Sequence, residues 1–208
     1  MILKLPIHII IIAVLWFGSL CVGSYAMLSY EFGAKEASAP AGNWPHDTAY
    51  FRNPHKPTLL TFLHPRCPCS KATLGELALL VAASGERLDT RVIFVEPEGI
   101  IEDWPNNNLR QAASEIPGVT ITFDHLGAQA QKFHASVSGE TFFYDPEGSL
   151  LFSGGITGSR GHSGANPGRT AITSLVHNEN PEVRTSKSFG CQLFHTQSAC
   201  CQTSCPLQ

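Results

Sequence analysis

Cys67-Pro68-Cys69 sets two thiols one residue apart, between Pro65-Arg66 and Ser70-Lys71. As thiolates, such a pair can attack a disulfide or hold a soft metal. The apolar run PTLLTFLH (57–64) just before it predicts a buried strand. A helical pattern follows from Cys67, with Leu74, Leu77, Ala78, Leu80 and Val81 on one face and a stop near Gly85. The pair is therefore expected at a strand-to-helix turn. There the helix macrodipole and the neighbouring Arg66 both favour a Cys67 thiolate, which makes Cys67 the expected nucleophile and the more exposed and more acidic of the two thiols. Cys69 lies close enough in the chain to resolve a mixed disulfide. A Cys-x-Cys ring is one residue shorter than a Cys-x-x-Cys ring, and its strain favours an oxidant or isomerase over a reductant. His64 and His162 could complete a Cys67/Cys69 set for Cu(I). A purely structural pair fits poorly between Pro-Arg and Ser-Lys.

The elements that must position these thiols alternate. RVIFV (91–95) and VTITF (119–123) read as further strands, and NNNLRQAASEI (106–116) and LGAQAQKFHA (126–135) as helices. ETFFY (140–144), the turn DPEG, and SLLFSGG (149–155) form a hairpin, and Asn166-Pro167 starts a last helix reaching about His177. The order βαβαβαββα predicts an α/β sandwich with a mostly parallel central sheet closed by a C-terminal β-hairpin. In that topology the second hairpin strand ends at the same sheet edge as Cys67. The Gly-rich loop GGITGSRGHSGANPG then places Arg160 and His162 beside the thiols. Its glycines could also cradle an anion, but the spacing and lysine of a P-loop are missing.

This order, with PTLLTFLHPRCPCSKATLGEL at its start, resembles the thioredoxin fold over residues 58–178. Cys67 falls on the attacking cysteine of the thioredoxin motif, and Ser70 stands where the resolving cysteine usually is. The hairpin FFYDPEGSLLFSGG resembles that of membrane-tethered thiol-disulfide proteins of cytochrome maturation. HPRCPCSKA together with FSGGITGSRGH is similar to RedB-type thioredoxin-like bacterial proteins. The resemblance implies a cis-proline facing the thiols near Ser138-Gly139, where this chain has none; substrate groove and metal exclusion both depend on that proline. Thioredoxin-fold copper chaperones with two cysteines and a distant histidine lend the metal alternative a precedent.

Residues 7–28 form an apolar run of 22 residues without an acid, Lys or Arg. That length crosses a hydrocarbon core of roughly 30 Å as a helix. Lys4 and the amino terminus precede it, so the rest of the chain is expected on the outer face of the cytoplasmic membrane. The run is too long for an ordinary signal peptide, which favours a retained anchor (1–30), although Ser24-Tyr25-Ala26 offers a cleavage site. Cys21 follows the bulky Leu20, unlike a lipobox, and reads as apolar filler. Residues 31–57 read as linker and domain approach, and 179–208 as a polar tail carrying Cys191, Cys200, Cys201 and Cys205. Those four pair among themselves, exchange with Cys67, or collect metal.

Net charge −3, from 17 acidic and 14 basic residues among 208, supplies no field for nucleic acid. Hydrolase elbows, Walker loops and paired carboxylate metal motifs are missing. Three functions remain: a thiol-disulfide oxidoreductase acting on protein thiols or disulfides with no cofactor beyond its own disulfide, a copper-type delivery module, and a non-catalytic thioredoxin-like interaction domain.

Overall fold

The computed structural model describes residues 6–33, 39–96 and 108–194. The chain divides into two units, residues 1–33 and 34–208. The first holds one helix, α1 (Ile7–Phe32), four residues longer than the apolar run implies. At 1.5 Å per residue its 26 residues span ~39 Å. An 18-residue stretch of it has a mean hydropathy of 2.2, and the helix is long and apolar enough to cross a membrane.

The second unit is a five-stranded sheet in the order β3-β2-β1-β4-β5. The strands are β1 (Thr58–Leu63), β2 (Asp89–Glu96), β3 (Val119–His125), β4 (Glu140–Tyr144) and β5 (Leu150–Gly155). β1, β2 and β3 are parallel, while β4 runs antiparallel to β1 and β5 antiparallel to β4. The helices are α2 (Ser70–Ser84), α3 (Asn108–Ser114), α4 (Ala128–Lys132) and α5 (Pro167–Val176). The expected sandwich is present. α3 and α4 are shorter than the sequence pattern suggests, and residues 106–107 of the expected second helix lie outside the described part.

Side chains alternate across the sheet, which is why its inner strands read as unbroken apolar runs. Leu59 and Leu63 of β1 join Val92, Phe94 and the α2 leucines on one face. Leu60 and Phe62 join Ile93, Val95, Phe133 and Tyr144 on the other. Asn166 caps α5 by accepting the Arg169 N–H at 2.8 Å, and Pro167 fills the first turn, as the Asn-Pro pair predicts.

Two segments expected to be loose are part of the fold. Trp44, inside the expected linker, stands edge-on to Phe133 and Tyr144 at ring distances of 5.1 and 5.3 Å, and Tyr50 stacks on Phe133. Aromatic burial thus ties the second half of 31–57 onto the sheet. Beyond α5 the chain returns along the outer edge of β5, where Ser153 donates to Arg184 O (3.1 Å) and Ser186 donates to Ser153 O (3.2 Å). It then crosses to residues 136–138, with Leu193 2% exposed. The expected tail from residue 179 is therefore packed as far as Phe194; Cys200, Cys201 and Cys205 lie outside the described residues.

Glu76 of α2 is fully buried and ties down the Gly-rich loop. Its carboxylate accepts from Gly164 N (2.6 Å) and Asn166 Nδ2 (3.2 Å) and pairs with Arg169 Nε at 3.1 Å. Removing one partner of a buried pair costs about 3–5 kcal/mol. For Glu76→Ala the Tm of the reduced full chain in detergent should fall by roughly 10 °C. A loss within a degree or two would mean that the loop holds without this anchor.

Candidate functional site

β1 ends at Leu63, and residues 64–69 turn tightly into α2. Cys67 N–H donates to His64 O and Ser70 N–H donates to Cys67 O, both at 3.0 Å. Cys69, not Cys67, is the residue that caps α2. The turn is held from below by Ser138, in the loop before β4. The Ser138 hydroxyl accepts the His64 N–H at 2.8 Å and lies 3.0 Å from Ser70 Oγ, which donates to His64 O at 3.1 Å. Ser138 thus occupies, with a hydroxyl, the place where the resemblance implies a cis-proline. Gly139 next to it has φ +95° and donates to Phe62 O at 2.7 Å, a conformation that favours glycine.

Cys67, the expected nucleophile, is 1% exposed and Cys69 7%, so Cys67 is the more enclosed of the two, against the expectation that it would be the more open. The cause is the returning C-terminal segment. Cys191 N–H donates to Cys67 Sγ at 3.4 Å, and Cys191 O accepts the Ser138 N–H at 2.8 Å. Gly190 fits only as glycine, because a Cβ there would lie 1.8 Å from Ser138 O.

Burial alone would raise the Cys67 pKa. Hydrogen bonds from the Cys191 thiol and N–H, the Cys69 N–H and the Ser138 hydroxyl outweigh it and hold Cys67 below the ordinary thiol value. Burial raises Cys69, and the Cys67 charge and hydrogen bond raise it further; Arg160 acts in the opposite sense. Burial and the same bond and charge push Cys191 up to about 12, again opposed by Arg160. The three thiols therefore differ in acidity: Cys67 is the most acidic, and Cys69 and Cys191 hold their protons more tightly.

The remaining sequence candidates separate. Arg160 reaches the site and donates through Nη1 to Gly190 O at 3.1 Å. His162 is exposed, and its Nδ1 is 2.7 Å from Arg160 O. His64 Nδ1 accepts the Arg66 N–H at 3.2 Å. Among the described residues no three His, Cys, Asp or Glu side chains group as metal ligands, so Cys67, Cys69, His64 and His162 are not drawn into one such set. The exposed Arg66 side chain borders a groove of about 620 Å³ between α2 and α3. Cys67 lies on that groove with Pro65, Pro68, Lys71, Leu109 and Ala112; Cys69 and Cys191 do not. A larger cavity of about 750 Å³, at the opposite end of the strands near Asn53, Leu88 and Gly118, contains no thiol.

Sequence reasoning missed the placement of Cys191 and the anchoring by Glu76. Glu76 carried a signal, since it shares a helical face with Thr73 and Leu80 and so interrupts a buried stripe.

No protein-family model matches this chain, and no curated protein does. Among solved structures, a hypothetical protein from Sinorhizobium meliloti superposes with a TM-score of 0.58 at 18% identity, covering 77% of this chain and 97% of its own. An uncharacterized conserved protein from Geobacillus kaustophilus gives 0.56 at 18%, with 81% and 95% covered. A SCO1/SenC family lipoprotein from Bacillus anthracis is a looser match, at 0.48 and 12%, with 69% and 98% covered. The sheet order, the antiparallel β4 and the thiols at the β1–α2 turn define a thioredoxin-like domain.

Ser138→Ala removes one donor to the thiolate and should raise the apparent pKa of Cys67, read from its alkylation rate against pH. The thiolate is the reacting form, so the rate profile must move to higher pH. An unmoved profile would remove Ser138 from the site.

Proposed function

We propose that this protein is a membrane-tethered thiol-disulfide oxidoreductase with Cys67 as the attacking thiolate. The observation that carries this reading is the buried Cys67 sulfur, surrounded by hydrogen-bond donors and bordering an open groove. A sulfur in that setting is stabilised as an anion and still meets a substrate. The groove's lining is apolar at Leu109 and Ala112, cationic at Arg66 and Lys71 and acidic at Glu115, a mixed surface that suits a polypeptide disulfide.

The Cys67 thiolate attacks one sulfur of a substrate disulfide, the substrate S–S bond breaks, and the other sulfur leaves as thiolate. A second thiol of this chain then displaces the substrate from Cys67, so two electrons pass to the substrate and the protein ends as an internal disulfide. Cys69 is the nearest second thiol in the chain. In the reverse sense the internal disulfide oxidises a substrate dithiol. The segments HPRCPCSKA and FSGGITGSRGH keep RedB-type proteins as the family to which we assign this reading.

Reduced full-length protein in detergent should reduce a chromogenic aryl disulfide, and Cys67→Ser should lose nearly all of that rate. Labelling with a small alkylator at mildly acidic pH should mark Cys67 before Cys69, although Cys67 is the more enclosed. Stoichiometric, tightly held copper that requires Cys67 would favour the delivery module instead. Neither reactivity nor metal would leave an interaction domain.

We also infer that α1 is retained and that the second unit faces away from the cytoplasm. Lys4 ahead of the helix and the absence of Asp, Glu, Lys or Arg over residues 7–28 support this. The protein should stay in carbonate-washed membranes with its N-terminus intact. A mature chain beginning at Met27 would overturn retention.

A further inference from the structure

Three thiols, not two, meet at the end of β1. The third, Cys191, comes from the segment after α5 and is held there by four backbone contacts. Ser138 N–H donates to Cys191 O, Leu193 N–H to Ser136 O, Cys191 N–H to Cys67 Sγ, and Arg160 Nη1 to Gly190 O. Leu193 buried in the sheet and Gly190 pressed on Ser138 fix the register on either side.

We propose that Cys191 is the resolving thiol, and that the working disulfide of this protein joins Cys67 to Cys191. This rests on Cys67 being the attacking thiolate and reassigns only the second thiol. Two geometric observations favour Cys191 over Cys69. Both Cys69 and Cys191 hydrogen-bond to the Cys67 sulfur, but Cys191 does so from a separate segment, whereas Cys69 sits in the same short turn as Cys67. Closing a ring between Cys67 and Cys69 would strain that turn, which Ser70 N–H to Cys67 O and Ala72 N–H to Cys69 O hold in place. Exchange also proceeds with the three sulfurs in a line. Substrate occupies the groove that Cys67 borders, and Cys191, like Cys69, lies on a side that does not border it, so the line stays open to Cys191.

The protonation states order the two steps. While Cys67 is a thiolate, Cys191 gives it a hydrogen bond and keeps its own proton. Once Cys67 is bonded to substrate sulfur, that charge and that bond are gone. Cys191 can then lose its proton to solvent beside the Arg160 guanidinium. Its thiolate attacks Cys67 Sγ, the Cys67–substrate bond breaks, and the substrate sulfur leaves as thiolate. The oxidant is the substrate disulfide, and a dithiol of a partner protein would return the pair to the reduced form.

The test uses the full chain in detergent with Cys21, Cys200, Cys201 and Cys205 changed to Ser. The reduced protein is given one equivalent of oxidised glutathione, quenched in acid and mapped by non-reducing peptide mass spectrometry. A Cys67–Cys191 link with Cys69 free is expected, and it should also form in Cys69→Ser. In Cys191→Ser the reaction should stop at glutathione on Cys67, with one thiol lost instead of two. Because the link joins residues 124 apart, oxidation should raise Tm by roughly 5–15 °C, a gain absent from Cys191→Ser. A Cys67–Cys69 link with Cys191 still open to alkylation would overturn the proposal. So would a Cys191→Ser protein that clears its glutathione as fast as the parent. Either result leaves Cys67 as nucleophile, whereas a Cys67 that never takes glutathione overturns both assignments. The mapping on the parent chain needs no variant at Cys191, so a misfolded variant does not shield the idea.

Discussion

A sulfur anion removed from water has to be solvated by the protein, and at Cys67 that requirement organises the surrounding chain. The donors come from three places far apart in sequence: the helix start at Cys69, the loop before β4 at Ser138, and the segment after α5 at Cys191. No one of them would outweigh the cost of burial. Each is fixed by backbone pairing that serves the sheet as well, so the thiolate depends on the fold being complete. The same donors explain why the enclosed thiol is the acidic one. Exposure favours an anion by giving it water, and here oriented N–H, O–H and S–H groups replace that water.

The framework was legible because its signals are local. β1, β2 and β4 announce themselves as apolar runs, α5 as Asn-Pro, and the hairpin as Asp-Pro-Glu-Gly between two such runs. The strand–turn–helix setting of Cys67 and Cys69 could be read from residues 57–85 alone. The topology then brought the Gly-rich loop to the thiols' end of the sheet, where Arg160 is found and where the His162 ring is turned out to solvent.

What local pattern could not supply was everything decided by contacts between distant segments. Trp44 and Tyr50 sit in a stretch with no periodicity, and only their aromatic character hinted that something packs there. Residues 184–193 (RTSKSFGCQL) are mostly polar, without periodicity, and look like a free end. Their place is set by backbone bonds to Ser136, Ser138 and Ser153, which leave no mark on side-chain hydropathy. Gly190 and the apolar Leu193 were the available clues. The helix-dipole argument pointed to the acidic thiol but named the wrong residue as the cap: Cys69 starts α2, and Cys67 draws on the hydrogen bonds around it.

The segment after α5 lies along the open side of β5 and then over Cys67. A terminal strand otherwise presents bare amides and carbonyls to any neighbouring chain. One stretch of polypeptide therefore shields the sheet from self-association and also confers acidity on the thiol. These residues emerge late when the chain is synthesised from its N-terminus. Until they arrive, Cys67 has fewer donors and remains closer to an ordinary thiol, and the open β5 edge marks the chain as unfinished. The acidity of Cys67 is thereby tied to the completion of folding, and a half-made molecule lacks it.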